Sequence, residues 1–84
     1  MGKVTVRILG PLSQIIGKKV MEVEAETLED LNKIEQLKDA LYEGNELKSS
    51  VRIYINGKDL RFIKGEVRLN EGDEIMILSA VGGG

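Results

Sequence analysis

From Lys3 to Leu9 apolar and polar positions alternate, with Val4, Val6 and Ile8 on one side and Lys3, Thr5, Arg7 and Leu9 on the other. A period of two predicts a half-buried strand. Gly10-Pro11 ends it, and Leu12 to Ile16 reads as a short apolar connection closing at Gly17. Lys19 to Ala25 reads as a second strand, Met21 and Val23 opposing Glu22 and Glu24. Two strands joined so closely predict a hairpin.

The period then changes. Thr27-Leu28-Glu29-Asp30 fits a capped helix start, with Thr27 as N-cap and acids in the first turn. Leu31, Ile34, Leu37 and Leu41 fall within one helical face, Glu29 stands four residues before Lys33, and Gly44-Asn45 stops the helix. Beyond it Val51, Ile53 and Ile55 alternate with Arg52 and Tyr54 and run into Asn56-Gly57, a strong hairpin signal. Asp59 to Phe62 returns as a short strand, Lys64-Gly65 turns, and Glu66 to Leu69 is a further extended piece. Asn70 to Asp73 turns again and Glu74 to Ser79 is the last strand.

This order predicts an α+β domain in which one main helix packs across one face of a mixed sheet of four to five strands. By analogy with known folds that is a β-grasp, ubiquitin-like arrangement with the first and last strands as parallel neighbours. Residues 1–81 are expected to form the domain and 82–84 a flexible glycine tail. Strand parity puts Thr5, Arg7, Leu9, Arg52, Tyr54, Met76 and Leu78 on the face away from the helix. An apolar cluster of Leu9, Tyr54, Met76 and Leu78 on such a face is a candidate docking patch.

Composition narrows the function. In 84 residues the chain is 42% apolar and 31% charged, with neither Cys nor His. It is one small globular domain. The commonest general base, the thiol nucleophile and the usual zinc ligand sets are missing, which argues against a self-contained enzyme and leaves no metal site in view. A net charge of −2 argues against a general nucleic-acid binder. The charge is nonetheless split: residues 22–46 carry nine acids against Lys33 and Lys38, and residues 51–68 carry Arg52, Lys58, Arg61, Lys64 and Arg68 against Asp59 and Glu66. The basic stretch could steer an acidic partner. The longest apolar runs are too short to span a membrane, and Met1-Gly2-Lys3 leads straight into a strand, so a cytoplasmic protein is expected.

Three stretches carry a resemblance: Val51 to Phe62 (VRIYINGKDLRF), Leu69 to Ile75 (LNEGDEI), and the end Val81-Gly82-Gly83-Gly84. In this order they resemble the small sulfur-carrier subunit of molybdopterin synthase, the thiamine-pathway sulfur carrier and the archaeal ubiquitin-like small modifiers. The first-loop Leu-Arg-Glu of that family is Leu12-Ser13-Gln14 here, and its Pro-Pro before the tail is Ser79-Ala80.

The resemblance implies a protein cosubstrate that binds no cofactor itself. Its working atom would be the Gly84 carboxylate, beside Gly83, adenylated by a ubiquitin-activating-type enzyme that uses ATP and Mg²⁺ and then converted to a thiocarboxylate. It implies docking through Leu9, Tyr54, Phe62, Met76, Leu78, Val81 and Gly82, onto the adenylating enzyme and onto a synthase large subunit or lysine-bearing target proteins. The residues agree with that chemistry. Three glycines can thread a narrow channel, and without cysteine the chain cannot hold sulfur as a persulfide. Two rivals stand beside the carrier: a modifier joined to lysines through the same carboxyl, and a non-covalent adaptor or RNA-binding module.

Overall fold

The structure, a computed structural model, describes residues 2–44 and 46–79. Strand β1 (Gly2–Leu9) is followed by helix α1 (Pro11–Ile16) and strand β2 (Val20–Ala25). A 3₁₀ helix (Leu28–Lys33), helix α2 (Glu35–Leu41) and a small hairpin of β3 (Tyr42–Glu43) and β4 (Glu46–Leu47) come next. Strands β5 (Val51–Ile55) and β6 (Lys58–Asp59), a 3₁₀ turn (Leu60–Phe62) and strand β7 (Glu74–Ser79) complete the order. The main sheet runs β2-β1-β7-β5-β6. All its pairs are antiparallel except the central β1–β7 pair, which is parallel from Thr5↔Glu74 to Leu9↔Leu78. This is the β-grasp layout that the element order predicts, and the parallel central pair is where the analogy put it.

One face of the sheet is the core. Val4, Val6 and Ile8, Ile75 and Ile77, and Val51, Ile53 and Ile55 are buried against Leu12, Ile16, Leu31, Leu37, Ala40 and Leu41. The Asn56-Gly57 turn carries both residues at positive φ (51° and 88°), which its two-residue hairpin requires. The turn at Asn70 to Asp73 is strapped to β1 by Gly72 N–H donating to Lys3 O (2.9 Å) and Thr5 N–H to Asp73 O (3.0 Å).

The helical segment departs from the single helix expected. At Ile34 the backbone is extended (φ −92°, ψ 107°), dividing it into a 3₁₀ piece and α2. In an unbroken α-helix, six residues at ~100° each would set Leu31 and Leu37 about 120° apart. The break re-aims them, so that Leu31 is 2% and Leu37 0% exposed while Ile34 is only half-buried. The first turn is tightened by the Asp30 carboxylate, which accepts from the N–H groups of Glu26 (2.8 Å) and Thr27 (3.1 Å). Lys33 pairs with Asp30 at 3.2 Å, not with Glu29. The helix stops at Leu41, before Gly44-Asn45, because the chain turns there into the β3–β4 hairpin.

Two connections also differ from expectation. Leu12 to Ile16 is a helix: Pro11 sits at its first turn, Leu12 and Ile16 face the core, and Gly17 closes it with φ 88°. The strand expected over Asp59 to Phe62 ends at Asp59, whose side chain accepts from Arg61 N–H (2.8 Å) and turns the chain into a 3₁₀ helix. Over Glu66 to Leu69 the expected extended piece is reduced to an isolated bridge, Thr27↔Arg68, flanked by Leu28 N–H donating to Val67 O (3.1 Å) and Leu69 N–H to Glu26 O (2.8 Å).

Candidate functional site

The sheet face away from the helices is built by register. Arg7, Met76 and Tyr54 make one cross-strand row, and Leu9, Leu78 and Arg52 make the next. Leu9 is 43% exposed, while Tyr54, Met76 and Leu78 are half-buried. Four of the expected docking residues therefore share one surface. Val20 joins them, since it pairs with Arg7 across β1–β2 and is 49% exposed. Sequence reasoning missed Val20, although it has the parity of Glu22 and Glu24.

The face is graded along β7. At its start Arg7 Nε donates to Glu74 Oε2 at 2.7 Å, a half-exposed ion pair. Met76 and then Leu78 follow, so the surface becomes apolar toward Ser79, the last residue of β7, after which residues 80–84 begin. Val81, Gly82, Gly83 and Gly84 lie outside the described residues. Phe62 stands apart from these rows, on the 3₁₀ turn after β6, and is 72% exposed.

The far side of the face ends in a charge pair. Asp59, opposite Tyr54 in register, receives Arg61 Nη2 at 3.0 Å and Arg61 Nε at 3.3 Å. These side-chain bonds, with the Arg61 backbone N–H, hold the Asp59 carboxyl below the usual carboxylate range. The same contact raises Arg61. Among the described residues no three acidic side chains gather as a metal donor set. No helix there is long and apolar enough to cross a membrane. Among the described residues the arrangement offers a partly exposed apolar patch beside the end of β7 and no metal-binding cluster.

The comparisons agree with this geometry. The model of the ThiS family matches residues 6–84. A protein of Archaeoglobus fulgidus to which a sulfur-carrier role has been assigned is 34% identical, over 98% of this chain and 76% of that protein. The small archaeal modifier protein 1 of Methanosarcina acetivorans superposes with a TM-score of 0.80 at 31% identity, covering 100% of this chain and 98% of that one. In the Amycolatopsis orientalis BexX/CysO complex, the matching chain has a TM-score of 0.76 at 32% identity, covering 96% and 99%. The fold, the patterned face and these likenesses lead to one assignment: the chain belongs to the ThiS family of small, ubiquitin-like sulfur carriers.

Proposed function

We propose that the chain carries sulfur on its terminal carboxyl group. A Gly84 carboxylate oxygen attacks the α-phosphorus of ATP on an adenylating partner that uses Mg²⁺, and pyrophosphate leaves. A persulfide or sulfide donor then attacks the acyl-adenylate carbon, AMP leaves, and a thiocarboxylate remains. Both steps conserve electrons at the carbonyl carbon; where a persulfide donates, its S–S bond is cleaved by an external thiol. The face of Leu9, Tyr54, Met76 and Leu78, with Phe62, Val81 and Gly82, docks the chain on that enzyme and on the acceptor of its sulfur. The chain is a protein cosubstrate in this scheme, working in the cytoplasm.

The observation that carries the reading is that the ThiS-family match runs through Gly84 in a chain with no cysteine. The likeness to a chain solved in the BexX/CysO complex supports partner docking. The likeness to a small archaeal modifier favours a second use of the same acyl-adenylate, in which a lysine amine of a target protein replaces the sulfur donor and an isopeptide bond forms.

The test is ATP–pyrophosphate exchange with the cognate adenylating enzyme. Adding one residue after Gly84 is expected to abolish exchange, because the Gly84 carboxyl becomes a peptide carbonyl that cannot form the acyl-adenylate. Deleting Gly83-Gly84 is expected to abolish it because the new terminal carboxylate falls two residues short of the α-phosphorus. Gly83→Ala is expected to slow it, since reactive positioning is sensitive to ~1 Å. Activation of the extended chain without prior trimming would overturn the proposal. Intact mass from native cells then separates the two uses: one oxygen replaced by sulfur marks the carrier, higher-mass conjugates the modifier.

A further inference from the structure

We propose that the outer edge of β5 is a second docking site, which accepts an extended acidic segment of a partner protein as an added strand. Strand β5 pairs with β7 along its whole length, from Val51↔Ser79 to Ile55↔Ile75. On its other side β6 covers only Tyr54 and Ile55, because the Asp59 side chain turns the chain off the sheet. Among the described residues, Val51, Arg52 and Ile53 have no strand partner on that side.

The backbone alternation fixes what this edge presents. Asn56 N–H donates to Glu74 O at 2.8 Å, which sets Arg52 and Tyr54 as the β5 residues bonded to β7. Val51 and Ile53 therefore direct their peptide groups outward, Val51 N–H being taken by Lys48 O at 3.0 Å. A groove of ≈ 370 Å³ runs along the edge, with Leu47, Val51, Ile53 and Leu60 as its apolar lining and Lys48, Arg52 and Arg61 as its cations. The carboxylate in the lining, Asp59, is engaged by Arg61.

Those features select the occupant. An open edge favours an extended peptide, held by main-chain hydrogen bonds. Three cations against one carboxylate favour acidic side chains at alternate positions, and the apolar lining favours aliphatic residues between them. A second copy could offer its own acidic edge strand β2, with Glu22 and Glu24. That contact joins unlike edges, so it cannot close as a two-fold pair and builds a ring or an open filament instead, and a single partner segment is the simpler match. The site is on the sheet edge, not on the face, and does not depend on activation of Gly84.

The experiment titrates ¹⁵N-labelled protein with an acetylated, amidated octapeptide in which glutamate and valine alternate. Amide shifts are expected at residues 51–53 and at Leu60 and Arg61, with affinity falling as salt rises. Lys48→Glu is expected to weaken binding about tenfold. Methylating the peptide's alternate backbone nitrogens is expected to remove binding, and this arm needs no variant of the protein. Equal binding of the methylated peptide, shifts centred on Leu9, Met76 and Leu78, or no shifts at about 1 mM peptide would each overturn the proposal. So would self-association in sedimentation that Glu22→Lys abolishes, which would make the occupant a second copy.

Discussion

Leu9 and Leu78 are register partners across the parallel β1–β7 pair, and both lie on the open face. One residue earlier, Ile8 and Ile77 are also partners, yet they are 1% and 0% exposed. A single step along each strand thus separates the open face from the core. Leu78→Asp is expected to leave the circular dichroism spectrum and unfolding midpoint nearly unchanged while weakening capture by the adenylating partner. Ile77→Asp is expected to unfold the domain, because it buries an unpaired charge. Unfolding by Leu78→Asp would remove the docking face from the account.

The break at Ile34 exists to bury Leu31 together with Leu37. Leu31→Ala is expected to cost ~2–4 kcal/mol in urea denaturation, and Ile53→Ala a similar amount, as core truncations do. In so small a domain that is a large share of the total. A change below about 0.5 kcal/mol for both would place them at the surface.

Gly2 packs against the turn that straps β1. A Cβ built there would meet Glu71 N at 2.7 Å and the Asn70 carbonyl carbon at 3.0 Å, both backbone atoms. Gly2→Ala is expected to destabilise by ~1–3 kcal/mol, as overpacking does. Amide exchange should quicken at Gly72 and Thr5, whose N–H groups bond across this contact.

Asp30 and Asp59 both have lowered pKa values, Asp30 through the Glu26 and Thr27 N–H groups and Lys33, Asp59 through Arg61. A carboxyl depressed in the folded state stabilises it at pH values above the unfolded pKa, about 3.9. That stability is lost as pH falls through the folded value. Asp59→Asn should therefore lower the urea midpoint near neutrality, and the gap from the native chain should close in acid. A gap that widens in acid would contradict the sign.

Much of this molecule was legible because its strands keep one strict period. Val4-Val6-Ile8, Val51-Ile53-Ile55 and Ile75-Ile77 each announce a buried face, and Leu9, Tyr54, Met76 and Leu78 follow as residues of the opposite face. The helical segment was less legible. Leu31 to Leu41 satisfies an α-helical stripe and also a 3₁₀ turn followed by a new helix, and periodicity alone does not choose. The choice lies in the Asp30 carboxylate and in the packing demands of Leu31 and Leu37. Likewise Asp59 reads as a strand residue until its side chain is seen capturing Arg61 N–H. Helix α1 did carry a signal, Pro11 at its start and Gly17 after its end, in a stretch only six residues long.

The parallel β1–β7 pair has a mechanical consequence. Its five register pairs run from Thr5↔Glu74 to Leu9↔Leu78, so tension applied at Gly2 and Ser79 acts along the strands in opposite directions. The hydrogen bonds of the pair are then loaded in shear, all at once, whereas a hairpin pulled from its open end unzips one bond at a time. Traction between the two strands must break the middle of the sheet before either can be drawn away. A load that enters at the end of β7 is thereby resisted by the whole parallel pair at once.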